Sequence, residues 1–421
     1  MRVDLQAMNY LRFSQIPDII KGWVNLPASK SISNRALIIR ALCERPFIIQ
    51  NLSDADDTVL LNSLFQSGEK ELYVKNAGTV ARFLLAYYAA QNGTDIILTG
   101  SDRMKGRPFK PLVDALFEIG ADIEYLEEEG NLPVHIKGRT LNGGHVKILA
   151  DTSSQFISAM LLIGPTLKEG LNLELTGEIV SLPYIHLTLK MMAHFGIKYR
   201  MVSKIITIPH QQYIPTTFFV ESDWSSASYF FAIAALFPGS EMVFANFFED
   251  SWQGDSMIKS IFGAFGLDVI FNDKGVLVKS NPIKINPFEY NFIDYPDLIP
   301  TFVCLCCAMN IPFSISGSRT LKHKESDRAE VLKNELNKLG YSLKLEENTI
   351  HFDGTQNTIE NDKVYLNTCS DHRMAMSFAI LATQNQNILI GNPEVVEKSF
   401  PGFWKEMENV GFKNEIILKE E

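Results

Sequence analysis

Polar and basic residues cluster where apolar runs begin. Six segments show this: Ser31-Ile-Ser-Asn-Arg-Ala-Leu-Ile-Ile, Thr79-Val-Ala-Arg-Phe-Leu-Leu, Ser153-Ser-Gln-Phe-Ile-Ser-Ala-Met, Ser225-Ser-Ala-Ser-Tyr-Phe-Phe, Asp297-Leu-Ile-Pro-Thr-Phe-Val and Asp371-His-Arg-Met-Ala-Met. A helix starting at such a point exposes unpaired backbone N–H groups and the positive end of its dipole, and such ends bind anions. Cations stand at the same points, with Lys30 and Arg35 in the first segment, Arg82 in the second, and His372 and Arg373 in the last. More lie in stretches that read as loops: Arg103-Met-Lys-Gly-Arg107-Pro, Lys322-His-Lys324-Glu325-Ser-Asp-Arg328 and Glu397-Lys398-Ser-Phe-Pro. Taken singly, each is an ordinary solvated charge. Taken jointly, they point to ligands for phosphates and carboxylates.

Two groupings offer more than charge. Ser153-Ser154-Gln155 presents two hydroxyls and an amide, equally suited to capping a helix and to holding a phosphate. On a helix, Lys324 and Arg328 would share one face while Glu325 points roughly a quarter turn away. A carboxylate bracketed by cations can stay ionised or exchange protons, depending on how dry its surroundings are.

The elements that must position these groups repeat. The first residues of the six segments are spaced by 48, 74, 72, 72 and 74. Each segment is followed by a second amphipathic helix pattern that ends at a glycine (Gly68, Gly120, Gly196, Gly266, Gly340 and Gly411), where glycine supplies a left-handed C-cap. Strand-like stretches come next, as in Asp122-Ile-Glu-Tyr, Ile197-Lys-Tyr-Arg, Asp268-Val-Ile-Phe and Ser342-Leu-Lys-Leu. The spacing predicts six α/β units of about seventy residues, three before about residue 221 and three after. Two pseudo-equivalent halves follow, with a boundary near Val220-Glu-Ser-Asp. Helix N-termini aimed from both into one cleft would attract anions whatever the total charge.

The bulk properties narrow the partners. The 421 residues carry 39 Lys and Arg against 49 Asp and Glu, and a net charge of -10 argues against nucleic acid or an anionic membrane. Cys43, Cys304, Cys306, Cys307 and Cys369 show no paired C-x-x-C spacing and read as reduced core thiols. No H-E-x-x-H or other metal spacing, Walker-type phosphate loop or G-x-G-x-x-G occurs, so neither metal nor cofactor is expected. Arg2, Asp4 and Arg12 precede any apolar stretch, and the longest apolar run, Ile299 to Ile315, is short and contains Pro300, Asn310 and Pro312. A cytoplasmic monomer is the expectation.

Leu26-Pro-Ala-Ser29-Lys30-Ser31-Ile-Ser-Asn-Arg35, Asn76-Ala-Gly-Thr-Val-Ala-Arg82, Arg103-Met-Lys-Gly-Arg107-Pro, Ser153-Ser-Gln-Phe, Lys324-Glu-Ser-Asp-Arg328, Asp371-His-Arg-Met-Ala-Met and Lys398-Ser-Phe-Pro resemble, in order and over nearly the whole chain, the motifs of the EPSP synthase family. The resemblance implies an α/β enolpyruvyl transferase fold of two domains, each of three βαβαββ units around a pseudo-threefold axis. Residues 1–27 plus 222–421 would form one domain and residues 28–221 the other. It also implies transfer of the enolpyruvyl group of phosphoenolpyruvate to the 5-hydroxyl of shikimate 3-phosphate, with release of phosphate and no cofactor.

Carried over by motif, Lys30, Ser31, Arg35, Ser153, Ser154, Gln155, Ser181, Tyr184, Asp297 and Lys324 resemble the ligands of shikimate 3-phosphate. Lys30, Asn76, Gly78, Arg107, Gln155, Arg328, His372, Arg373 and Lys398 resemble those of phosphoenolpyruvate. Asp297 is the expected base at the attacking hydroxyl, and Glu325, with Lys30, the acid at C3. Arginine grips both anions bidentately and keeps its charge, so no metal is needed to hold them. Ala28, Lys75, Ser222 and Trp224 depart from the family pattern, and Thr320 stands where some members use an amide. The related UDP-N-acetylglucosamine enolpyruvyl transferases carry a reactive loop cysteine, whereas the stretch Ser101 to Pro108 has none. RNA 3′-phosphate cyclases share the repeat but act on polyanions, which a pI near 5.4 disfavours. A non-catalytic anion-binding repeat protein would leave Asp297 and Glu325 without a role.

Overall fold

The computed structural model describes residues 8–273, 275–284, 286–358 and 362–419. Arg2 and Asp4 lie outside the described residues. Two compact units emerge, one continuous and one split by it: residues 28–220 with 252–254, and residues 1–27 with 221–251 and 255–421. The expected boundaries ran unbroken through 252–254. Those three residues depart because Trp252 stacks on Phe218, with centroids 6.3 Å apart, and packs against His194 in the continuous unit.

All six anticipated helix starts are helix starts. In the continuous unit they open the helices Lys30–Leu42, Gly78–Ala89 and Ser154–Ile163. In the split unit they open Trp224–Leu236, Ile299–Ala308 and His372–Ala382. Within each unit the three pack against one another. Their position explains their sequences: a helix enclosed on all sides is apolar all round, as in Ile-Pro-Thr-Phe-Val-Cys-Leu-Cys-Cys-Ala, and its polar residues withdraw to the N-terminal turn. Each unit buries its own apolar core around this trio. Cys304, Cys306 and Cys307 belong to the core of the split unit, while Cys369 departs from the expected buried thiols. It is exposed in a turn where it and Ser370 both take positive φ, just before the cap Asp371.

The second helix of each repeat lies outside the trio. The glycines expected to end these helices all have positive φ, from 65° at Gly68 to 108° at Gly411. Their lack of a Cβ lets the chain reverse there without strain.

Among the described residues, five four-stranded sheets flank the helices, each with a parallel pair extended by two antiparallel strands. Glu71–Tyr73 runs parallel to Asp95–Thr99, and Gly144–Leu149 to Leu171–Thr176 with Gly144 opposite Leu171. The split unit completes two of its sheets with strands from the chain's start: Lys21–Val24 pairs in parallel with Glu241–Phe244, and Met8–Gln15 runs antiparallel to Lys413–Lys419. The first repeat of the continuous unit is reduced, pairing Ile49–Gln50 in parallel with Phe218–Phe219 from the end of that unit. It therefore lacks the full βαβαββ set expected of every repeat, because the strands that would fill it are two residues long and separated by most of the unit.

Two other strand expectations shift along the chain. Ile197-Lys-Tyr-Arg becomes a strand only from Arg200, and Ser342-Leu-Lys-Leu only from Lys344. Three stretches expected as loops contain short helical segments: Asp102–Lys105, Ser318–His323 and Pro393–Lys398. In the first, the Ser101 hydroxyl accepts from the Met104 N–H and caps the turn.

Candidate active site

Charged side chains gather at the N-terminal ends of the buried trio in each unit. In the split unit, the focus is Asp297, on the single turn Pro296–Leu298 that leads into the helix Ile299–Ala308. Its Oδ1 pairs with Arg328 Nη1 at 2.8 Å and Lys324 Nζ at 3.1 Å, and its Oδ2 accepts from Arg373 Nη2 at 3.0 Å. Burial pushes the Asp297 carboxyl up, but Arg373, Lys324 and Arg328 outweigh it and hold the group well below the usual carboxylate range. Asp297 is thus firmly ionised at neutral pH.

Arg328 is the hub. It opens the helix Arg328–Asn337 behind the cap Asp327, is 1% exposed, and meets three carboxylates. Nη1 reaches Asp297, Nη2 reaches Glu325 Oε2 at 2.8 Å, and Nε reaches Asp371 Oδ2 at 2.8 Å. Burial alone would lower its pKa, yet Asp371, Glu325 and Asp297 raise it further. Glu325 also bridges to Lys398, Oε1 to Nζ 3.4 Å. Four cations thus surround three carboxylates.

Residues 324–327 are the loop that the sequence suggests, and the shared helical face of Lys324 and Arg328 does not form. Lys324 has extended backbone, and the helix begins only at Arg328 because Asp327 accepts from the Glu330 N–H and caps it there. Lys324 and Arg328 converge through Asp297 instead of along a helix face. Arg373 and buried His372 form the first turn of the helix His372–Ala382, capped by Asp371, whose Oδ1 accepts from the Arg373 N–H. Arg373 Nη1 also donates to Tyr229, whose hydroxyl burial pushes up to about 12.

Two partners were not legible as such. Asp371 appears in the sequence as a helix cap, but its side chain is fully buried, accepting from Ser326 Oγ at 3.1 Å as well as from Arg328. The signal was an acidic residue directly before His372-Arg373. Asp255, buried and hydrogen-bonded by Ser225, lies near Arg373 and Asp297, and burial pushes it up to about 6. Nothing in the run Gln253-Gly-Asp suggests it.

In the continuous unit, Lys30 and Ser31 open the helix Lys30–Leu42, capped by Ser29. Lys30 Nζ donates to Asp57 at 3.0 Å; the acidic run Asp54-Ala-Asp-Asp57 that opens the helix Asp56–Ser67 was the overlooked signal. Arg35, one turn further, is 2% exposed and surrounded by oxygens of Ser31, Ser158, Tyr184 and Thr188.

Ser153 Oγ accepts from the Gln155 N–H, so it caps the helix Ser154–Ile163. Gln155 is fixed at both ends of its amide, accepting from Arg82 Nη1 at 2.8 Å and donating to Thr79 Oγ1 at 3.1 Å. Arg82 in turn lies over the rings of Phe109 and Phe156, 5.0 Å from each centroid. Ser181, at φ 55°, precedes the helix Leu182–His194 that carries Tyr184. Asn76 sits in the turn before Gly78. A Cβ on Gly78 would lie 2.6 Å from Arg82 Nη1 and 2.8 Å from Arg107 Nη1, so glycine is what lets the buried Arg107 approach this helix start.

In fold, the chain is an enolpyruvyl transferase. An EPSP synthase from Acinetobacter baumannii matches it with a TM-score of 0.77 at 22% identity, covering 97% of this chain and 100% of that one. An enolpyruvyl transferase from Streptomyces tendae matches with a TM-score of 0.76 at 14% identity, covering 98% and 100%. Sequence narrows the class. The EPSP synthase (3-phosphoshikimate 1-carboxyvinyltransferase) family matches residues 14–67 and 60–407. The 3-phosphoshikimate 1-carboxyvinyltransferase of Bacteroides fragilis is 44% identical over 398 residues, covering 94% of this chain and 97% of that protein. Its counterpart in Shewanella pealeana is 33% identical, covering 96% and 100%. The chain belongs to the EPSP synthase family.

Proposed function

We propose that this chain transfers the enolpyruvyl group of phosphoenolpyruvate to the 5-hydroxyl of shikimate 3-phosphate by addition and elimination, releasing phosphate. Family membership and near-complete coverage of its relatives support the reaction. The observation that carries the residue roles is Asp297, an ionised carboxylate held by three cations that are themselves suited to substrate anions.

In this reading Arg328, Arg373 and Lys398 grip phosphoenolpyruvate, with Arg107, Gln155, Asn76, His372, Lys30 and the Gly78 backbone completing its ligands. Lys30, Ser31, Arg35, Ser153, Ser154, Gln155, Ser181, Tyr184, Asp297 and Lys324 bind shikimate 3-phosphate. The 5-hydroxyl loses its proton to Asp297 as its oxygen attacks C2, and C3 gains a proton from Glu325 assisted by Lys30. Phosphate then leaves and the new methyl group returns a proton to the Glu325 carboxylate, restoring the double bond. A substrate anion that shares Arg328 and Arg373 with Asp297 weakens their hold on that carboxylate, so its basicity rises as the substrates bind. Glu325, shared between Arg328 and Lys398, is coupled to the same anion.

We place this activity in a cytoplasmic monomer. No helix among the described residues is long and apolar enough to cross a membrane. The test is phosphate release by the purified protein. Release is expected only when phosphoenolpyruvate and shikimate 3-phosphate are supplied together, and it should survive a chelator. Release with UDP-N-acetylglucosamine as acceptor, and none with shikimate 3-phosphate, would refute the assignment.

A further inference from the structure

Arg328 and Arg35 are both buried guanidinium groups, yet their surroundings are opposite. Arg328 is neutralised by three carboxylates. Around Arg35, among the described residues, every partner is neutral. Nε donates to Thr188 Oγ1 at 2.7 Å, Nη2 to Ser158 Oγ at 3.0 Å and more weakly to the Tyr184 carbonyl at 3.5 Å, and Nη1 to the Ser31 carbonyl at 2.9 Å. A guanidinium has five N–H groups, so one on Nη1 is left over. Burial draws Arg35 down to about 10, which still leaves it a cation at neutral pH.

The two hydroxyls form a rigid pair. Ser158 Oγ and Thr188 Oγ1 are 2.9 Å apart, Thr188 Oγ1 donates onward to the Tyr184 carbonyl at 2.9 Å, and both side chains are fully buried. They come from the two helices of one repeat, Ser158 from Ser154–Ile163 and Thr188 from Leu182–His194, whereas Arg35 belongs to the first repeat of the unit. A buried charge without a counter-ion is costly, so keeping one points to a functional demand. Hydroxyls can orient a guanidinium without cancelling its charge, whereas a carboxylate at either position would do both.

We infer that Ser158 and Thr188 are positioning residues for the acceptor substrate: they fix the Arg35 guanidinium while leaving its charge uncompensated, so that it is available to a carboxylate or phosphate of shikimate 3-phosphate. This rests on the assignment of Arg35 to that substrate.

The experiment compares KM values for the two substrates in the native protein and in Ser158→Ala, Thr188→Val, Thr188→Ser, Ser158→Asp and Arg35→Ala. Loss of one hydroxyl, in Ser158→Ala or Thr188→Val, should raise KM for shikimate 3-phosphate about tenfold while KM for phosphoenolpyruvate changes less than twofold; Thr188→Ser should restore it. Ser158→Asp supplies the missing counter-ion and should melt no lower than the native protein while raising the same KM at least about a hundredfold. Binding of shikimate, which lacks the phosphate, identifies the group Arg35 holds. It weakens by the same factor in the hydroxyl variants if Arg35 holds the carboxylate, and is unchanged if Arg35 holds the phosphate. If Arg35→Ala raises the acceptor KM but the hydroxyl variants stay within twofold of native, the positioning role is overturned and the substrate assignment stands. If Arg35→Ala itself leaves that KM unchanged, the assignment of Arg35 falls, and this inference with it. Should Ser158→Asp not fold, the Ser158→Ala and Thr188→Val pair decides.

Discussion

Replacing Asp371 by asparagine isolates the counter-ion that no substrate touches in the proposed reaction. Asp371 is fully buried and accepts hydrogen bonds from Arg328 Nε at 2.8 Å and Nη2 at 3.3 Å, Ser326 Oγ at 3.1 Å and the Arg373 N–H at 3.0 Å, with His372 Nδ1 3.6 Å away. With its oxygen in the Oδ1 place, asparagine keeps the Arg373 N–H bond and so the helix cap, while its NH2 in the Oδ2 place can donate to the Ser326 hydroxyl but meets the Arg328 Nε–H donor against donor. What it loses is the charge facing Arg328. Removing one partner of a buried ion pair costs about 3–5 kcal/mol when the other is left alone. Arg328 is not left alone, because Asp297 and Glu325 remain, so a loss of about 2–3 kcal/mol is expected. For a unit of this size that is a fall in melting temperature of about 5–10 °C. Arg328 should also turn toward its two remaining carboxylates, raising KM for phosphoenolpyruvate about tenfold. Differential scanning calorimetry and steady-state kinetics with phosphoenolpyruvate varied read both effects. A melting temperature within 2 °C of native, with KM within about twofold, would refute the view that Asp371 anchors the hub.

Glu325→Gln should slow turnover by at least about a hundredfold with substrate binding largely intact; unchanged turnover in single-turnover assays would remove Glu325 from proton transfer. Gly78→Ala, whose methyl would meet the Arg82 and Arg107 guanidinium groups, should raise KM for phosphoenolpyruvate about tenfold while moving the melting temperature little, and equal loss of both would contradict that placement. Asp255 is pushed up to about 6 by burial, so the folded protein binds its proton more tightly than the unfolded chain, and ionising it costs stability as pH rises from about 4 to 6. The stability of Asp255→Asn relative to native should therefore improve across that window by up to about 3 kcal/mol and then level off; a pH-independent difference in calorimetric scans would show that Asp255 does not titrate there.

The repeat was legible because its markers are local. A cap before an apolar run, and a glycine where the chain must turn through positive φ, depend on backbone geometry within a few residues; the six glycines turn where the sequence assigned them, and four of the six helix starts carry a side-chain cap, at Ser29, Ser153, Asp223 and Asp371. The cationic ligands were legible for the same reason, since they stand beside those caps. The weaker strands were not, because a two-residue strand such as Ile49–Gln50 exists only through its partner Phe218–Phe219, more than 160 residues later.

What the chain alone determined was therefore the kind of chemistry, anions met by helix starts, arginine and lysine, together with the order of the parts. Which charge meets which was decided only in three dimensions. Asp371 and Arg328 are 43 residues apart, and Asp297 and Arg373 76, yet each pair shares hydrogen bonds. The reason is physical: electrostatic interaction falls with distance in space and rises with burial, and neither is a property of position along the chain. The same holds for Arg35. Its sequence neighbours mark it as a cation at a helix start, but that it faces hydroxyls instead of carboxylates follows from Ser158 and Thr188, brought beside it by the packing of one repeat against another.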